Sequence, residues 1–187
     1  MFFGCRVFRG QNKKLKKKMF PKQLPPAVSS LDSTGLTEQQ KATLITAWSS
    51  FIKSDIYLHA GNIFAQFYEE NPHYLKIFEK ISDKSNEPLH THSLNTLHAM
   101  GYLIEFGLHD PAVFDCTLNK IASIHSKVKV SRHDAEKLNI AIKNYILKVM
   151  SKHRTQTLEE SFTIFLNKIE SGFEITFSEA QQEPSQS

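Results

Sequence analysis

LHTHSLNTLHAMG, residues 89–101, is the stretch that decides the fold. Wound as an α-helix, it sends His92, Thr96, Ala99 and Met100 to one side, and Leu103 continues the row, because residues three and four apart share a helical face. A strand would alternate instead, and no alternation of four or more residues competes with the helical period from Gly35 onward. His92 thus stands on an inward face where Leu or Phe would pack better. A helix downstream repeats the pattern: in LNKIASIH, residues 118–125, Leu118, Ile121 and His125 lie together.

Outward from these two stretches the same period recurs. Thr37 with Gln40 forms a capping-box pattern, and Leu44, Ala47, Trp48 and Phe51 follow as one apolar stripe. A second helix begins after Lys53, with Ile56, Ala60, Ile63, Phe64 and Phe67 on one side. Asn71-Pro72 stops it, since the residue before proline disfavours the α region. The stretch from Asp83 to Pro88 reads as a turn, and Gly107 to Pro111 ends the helix that starts at Leu89. The helix holding His125 is brief, its period failing near Val128. Ser131 and Asp134 cap a long helix with Leu138, Ala141, Ile142, Tyr145 and Val149 inward. A last helix carries Leu158, Phe162, Phe165, Ile169 and Phe173. At least six amphipathic helices with short connections make an all-α domain.

A buried imidazole has two nitrogens to satisfy. Taken singly, His92 and His125 each read as a core histidine bonded to a backbone carbonyl. Taken together, on separate helices among Phe-rich segments, they point to a group held between them. A haem accounts for both, because neutral imidazole is an iron ligand. His59, His73, His98, His109, His133 and His153 read as surface or polar residues. His92 and His98 are six apart and face differently, which disfavours a zinc site. No Gly-rich phosphate loop, nucleophile elbow or Cys-x-x-Cys pair occurs, so the enzyme classes they serve lose support.

Composition divides the chain. Of 187 residues 40% are hydrophobic and 14 are Phe, enough for a sizeable core in one domain with an appendage. No apolar run approaches the ~18 residues that span a bilayer, so a soluble protein is expected. Cys5 and Cys116 do not suggest a disulfide framework, which favours a reducing, intracellular setting. Residues 1–30 hold eight of the 23 Lys and Arg and no acid; the fifteen left against 19 acids give the remainder a net charge of −4. Residues 1–34 therefore read as a basic, disordered extension and linker, broken by Pro21, Pro25 and Pro26. Residues 35–178 read as the folded domain and 179–187 as a disordered tail. Besides a solvated tail, the extension admits attachment to an anionic membrane surface, helped by Phe2, Phe3 and an acylated Cys5, recognition by an import receptor, or a cleaved presequence. No nucleic acid is expected for the negatively charged core.

Several landmarks belong together. Leu36-Thr37 opens a helix that reaches Trp48. Pro72 and Phe78 stand six apart at a corner. Leu89 lies three residues before His92 and Gly101 nine after it, spacings that His90 would not match. Ile121 lies four before His125, and a short valine-containing corner follows. This set resembles the globin family over about residues 35–178. The resemblance implies the globin fold, six to eight helices in a three-over-three sandwich around a haem pocket, with haem b (iron protoporphyrin IX) as cofactor. It makes His125 the proximal iron ligand and His92 the distal histidine, which either hydrogen-bonds a bound diatomic gas or becomes the sixth iron ligand. Phe78 would wedge the porphyrin, and Ile121 and Val130 would wall it, plain core being the alternative for all three. Phe64 stands where many relatives have leucine or tyrosine, and Thr96 where valine is usual. A distal tyrosine is thus not expected, and the Thr96 hydroxyl is expected to bond its own helix backbone. The second nitrogen of His125 should donate to a carbonyl one turn back, with Ile121 and Ser123 as candidates. About fourteen residues separate Phe78 from His92, which leaves out the short extra helix some relatives carry.

The function this implies is reversible binding of O2, CO or NO at iron, for intracellular oxygen storage, supply or sensing. The alternative is a haem redox enzyme of the NO dioxygenase or nitrite reductase type with a bis-histidine resting state, which calls for a reductase partner. A haem-free globin-like interaction domain comes third, having no need of opposed imidazoles. The extension and the divergent distal positions suggest a specialised invertebrate or insect type. A cytoplasmic location is expected, with nuclear or membrane association through residues 1–30.

Overall fold

Thr37 starts the first helix as its sequence pattern asks: its Oγ accepts the Gln40 N–H at 3.2 Å, while Gln40 Oε1 accepts the Thr37 N–H at 3.0 Å. The computed structural model describes the backbone of residues 31–85 and 89–182 and the side chains of residues 31–79 and 89–174. Residues 1–30, which hold the basic segment, and the last residues of the expected turn before Pro88 lie outside these. The described residues form α1 (Glu38–Ile52), α2 (Ile56–Glu70), α3 (Pro72–Ser85), α4 (Leu89–Tyr102), α5 (Pro111–Ser126), α6 (Arg132–Val149) and α7 (Gln156–Gln182), with no strand among them. A π-helical turn, Leu103–Gly107, prolongs α4, and a 3₁₀ turn, Ser151–His153, separates α6 from α7.

The helix starts follow from local chemistry. Asp55 and Asp110 cap α2 and α5 by accepting backbone N–H bonds, and Pro111 sits at the first position of α5, where no N–H is required. Ser131 and Asp134 cap α6 as expected, and do so as a capping box. One segment departs from the expectation. The stretch read as a corner, and as a turn from Asp83, is the fourteen-residue helix α3. Pro72 is again the reason: it ends α2, yet its fixed φ suits the first turn of the next helix. No separate short helix stands between Phe78 and α4 among the described residues.

The three-over-three arrangement sets α1, α4 and α5 against α2, α6 and α7. Helix α7 packs on α1, α5 and α6, and α2 on α4 and α6. Trp48, Phe51, Phe114, Phe162 and Phe165 are the largest fully buried side chains of one continuous core. Gly101 lets α4 lie against Trp48, for a Cβ there would meet Trp48 Nε1 at 2.9 Å. Inward orientation fails at one expected position: Val149 is 45% exposed, and Met150, 7% exposed, takes the core place. Met150 lies four residues past the buried Ile146, so the helical period itself sets it inward and Val149 outward. No described helix is long and apolar enough to cross a membrane.

Candidate functional site

His125 stands in the last turn of α5, and its Nδ1 lies 2.8 Å from the Ile121 carbonyl oxygen. A carbonyl only accepts, so Nδ1 carries a proton, and in the neutral ring the lone pair is then on Nε2. That tautomer is the one a metal takes. Of the two carbonyls expected to receive this bond, Ser123 instead accepts the Ser126 hydroxyl at 3.0 Å.

Across from it, α4 presents His92, with ring centroids 6.2 Å apart and planes inclined by 53°. Two imidazoles on opposite sides of one metal ion, with bonds of about 2 Å each, would place their centroids roughly 6 Å apart. The separation of the pair matches that distance. Among the described residues no group of three or more His, Cys, Asp or Glu side chains surrounds a common point. Two imidazoles without further protein ligands would suit haem, in which the porphyrin supplies the remaining donors, and His125 and His92 are the residues that would hold it.

The other expected site residues gather around this pair unevenly. Phe78 on α3 rests 5.0 Å from the His92 ring, and Phe64 on α2 meets it edge-on at 6.0 Å. Thr96 donates its hydroxyl to the His92 carbonyl at 2.9 Å, so it serves the helix backbone rather than the imidazole. Ile121 lies one turn before His125, and the Val130 N–H donates to the His125 carbonyl at 3.1 Å. Phe64 is buried, whereas His92, His125, Phe78, Thr96, Ile121 and Val130 are all half-buried. Apolar side chains left partly open around two facing imidazoles are what a flat apolar group would cover. Phe173 of α7, read from sequence only as core, lies 5.6 Å from the His125 ring. Helical spacing places Phe173 inward but carries no sign that its face meets α5.

Two further polar clusters join separate helices. Tyr74 on α3 donates its hydroxyl to Asp134 Oδ1 at 2.5 Å, and Asp134 Oδ2 accepts from the Ser131 N–H at 2.8 Å and the Ser131 hydroxyl at 2.7 Å. Burial opposes ionisation of Asp134, but the bonds from Tyr74 and Ser131 outweigh it and hold the carboxyl below the usual carboxylate range. Burial, reinforced by that carboxylate, pushes the Tyr74 phenol well above its ordinary value.

In the second cluster His59, read as a surface or polar residue, proves to be polar and buried: it is 7% exposed and stacked 4.4 Å from Phe51. Ser54 donates its hydroxyl to the Phe51 carbonyl at 2.7 Å, so its Oγ accepts from His59 Nε2–H at 2.6 Å. His59 Nδ1 then accepts the Tyr145 O–H at 3.0 Å, and the Tyr145 oxygen accepts from Asn62 at 3.2 Å. Burial lowers the His59 pKa, only partly offset by Asp55.

Comparison with known proteins bears on the same region. No curated protein matches the chain. The model of the globin family matches residues 61–173, from within α2 to within α7, a span that contains both facing histidines and every helix between. With its all-helical architecture and this match over more than half its length, the chain belongs to the globin family.

Proposed function

We propose that this globin binds haem b between His125 and His92, takes up O2, CO or NO reversibly, and rests with His92 in the sixth coordination position. The observation that carries the reading is the pair of imidazoles 6.2 Å apart, one of them tautomerically fixed by the Ile121 carbonyl. Haem supplies an iron centre that coordinates diatomic gases reversibly and exchanges single electrons. The chain's own part is to orient and to exclude water. His125 is held by one backbone bond, Phe78 and Phe64 pack the distal imidazole, and Ile121, Val130 and Phe173 make the proximal surroundings apolar. Intracellular storage, supply or sensing of oxygen is the role we favour, in the cytoplasm.

The close approach of the rings also favours a second reading, a redox protein of the NO dioxygenase or nitrite reductase type. A partner reductase would then return electrons. The eight positive charges of residues 1–30 would suit an anionic membrane surface or an import receptor as a further partner.

Absorption spectra of the haem-reconstituted chain test the site. Low-spin ferrous bands in the wild type should vanish in His92→Leu, and His125→Ala should lose stable haem. Retention of haem by His125→Ala would sink the assignment of His125. Reversible O2 binding with slow oxidation suits storage or sensing, whereas rapid oxidation on exposure to O2 suits the redox reading.

A further inference from the structure

Asp134 holds two parts of the molecule with one carboxylate. Its Oδ2 closes the capping box at Ser131, where the corner after His125 enters α6, and its Oδ1 receives the Tyr74 hydroxyl from α3. The corner is tied back to the proximal histidine, since the Val128 and Val130 N–H groups both donate to the His125 carbonyl at 3.1 Å. On the other side, Tyr74 lies one helical turn before Phe78, on the same face of α3, and Phe78 rests 5.0 Å from His92. The Tyr74 ring is itself fixed, stacked 5.2 Å from Phe67 with the Lys137 ammonium 5.8 Å from its centroid. His92 thus touches Phe78, which shares helix α3 with Tyr74, and Tyr74 is bonded through Asp134 to the corner anchored on His125.

We propose that Tyr74 is a positioning residue which, through Asp134, sets the separation of the two imidazoles and so governs how readily His92 yields to an incoming gas. The proposal rests on the reading of the site given above. Phe78 packs against the His92 ring, and the helix that carries Phe78 is restrained by the Tyr74 to Asp134 bond. A hydrogen bond to an ionised acceptor is among the stronger restraints a hydroxyl can supply. Its loss releases α3 and favours the open arrangement.

Tyr74→Phe keeps the ring and its stacking and deletes only the hydroxyl. Tyr145→Phe deletes a different hydroxyl that links helices away from the imidazole pair, and it controls for general loss of stability. In the haem-reconstituted full chain, the departure of His92 is read as the limiting rate of carbon monoxide binding to the ferrous protein at saturating gas. That rate should rise about fivefold or more in Tyr74→Phe and stay within about twofold of wild type in Tyr145→Phe. Asp134→Asn, reaching the same bond from its other end, should shift the rate in the same direction.

The haem-free chain supplies an independent readout. Amide exchange at Val130 and across residues 74–78 should quicken in Tyr74→Phe beyond the change at the core amides of α7, whereas any quickening in Tyr145→Phe should be no larger there than in that core. An unchanged limiting rate in Tyr74→Phe, with a wild-type spectrum that still responds to His92→Leu, overturns the positioning role and leaves the functional reading intact. A wild-type spectrum indifferent to His92→Leu overturns both. Unchanged amide exchange in haem-free Tyr74→Phe removes the coupling on which the proposal stands.

Discussion

The direction of the hydrogen bonds around His59 leaves that ring one neutral tautomer, with Nε2 donating to Ser54 and Nδ1 accepting from Tyr145. Protonation would put a donor against a donor, and burial adds to the penalty. Its folded pKa is therefore lowered, while the unfolded chain takes the proton at about 6.5. Below that value the unfolded state binds more protons, so this contribution is present in full above about pH 6.5 and is lost as pH falls toward the folded value. Urea unfolding at about pH 7.5 and about pH 5.5 should give a lower midpoint at the lower pH, and His59→Leu should flatten the difference. Tyr145→Phe, which leaves Nδ1 without its donor, should cost about 1–2 kcal/mol at neutral pH. Sequence spacing did not reveal this cluster, because the partner that buries His59 comes from a residue 86 positions away.

At the scale of elements, α5 depends on its first turn to hold His125 at its last. Asp110 accepts two backbone N–H bonds there, and Asp110→Ala should lower stability by about 1 kcal/mol. A domain of this size then loses roughly 2–4 °C of thermal midpoint per kcal/mol. Gly101→Ala should be more damaging, because the added methyl would meet the Trp48 indole at 2.9 Å and α1 is fixed by the core beneath it. An overpacking loss of about 1–3 kcal/mol is expected, read from the same melting curves. The Gly101 close approach was legible as a spacing from His92; its partner Trp48 was legible only as a separate landmark. Helix α3 was not legible, for Pro72 marks both an end and a beginning, and Tyr74 and Phe78 gain their meaning from α6 and α4.

For the whole molecule, the half-buried apolar residues around the imidazole pair predict strong dependence on the bound group. Haem held at about a thousand times its dissociation constant would add roughly 4 kcal/mol to the folded state. Its removal should lower the thermal midpoint by about 8–16 °C in a domain this size. A haem-free chain that melts at the same temperature as the reconstituted one would contradict specific binding at this site. Gel filtration of both forms, run alongside, should separate unfolding from aggregation.

The sequence by itself determined the helical period, the caps at Thr37 and Ser131, the stop at Asn71-Pro72 and the inward faces that carry His92 and His125. These are local properties, set by residues within a turn or two of one another. It also narrowed the proton partner of His125 to two carbonyls, since both lie on the same helix. Only the tertiary structure decided how far apart the imidazoles stand, and that Phe173, Tyr74 and Asp134 join their surroundings. Those facts depend on how separate helices cross, and a crossing is fixed by the packing of whole surfaces, which helical periodicity along one chain segment does not encode.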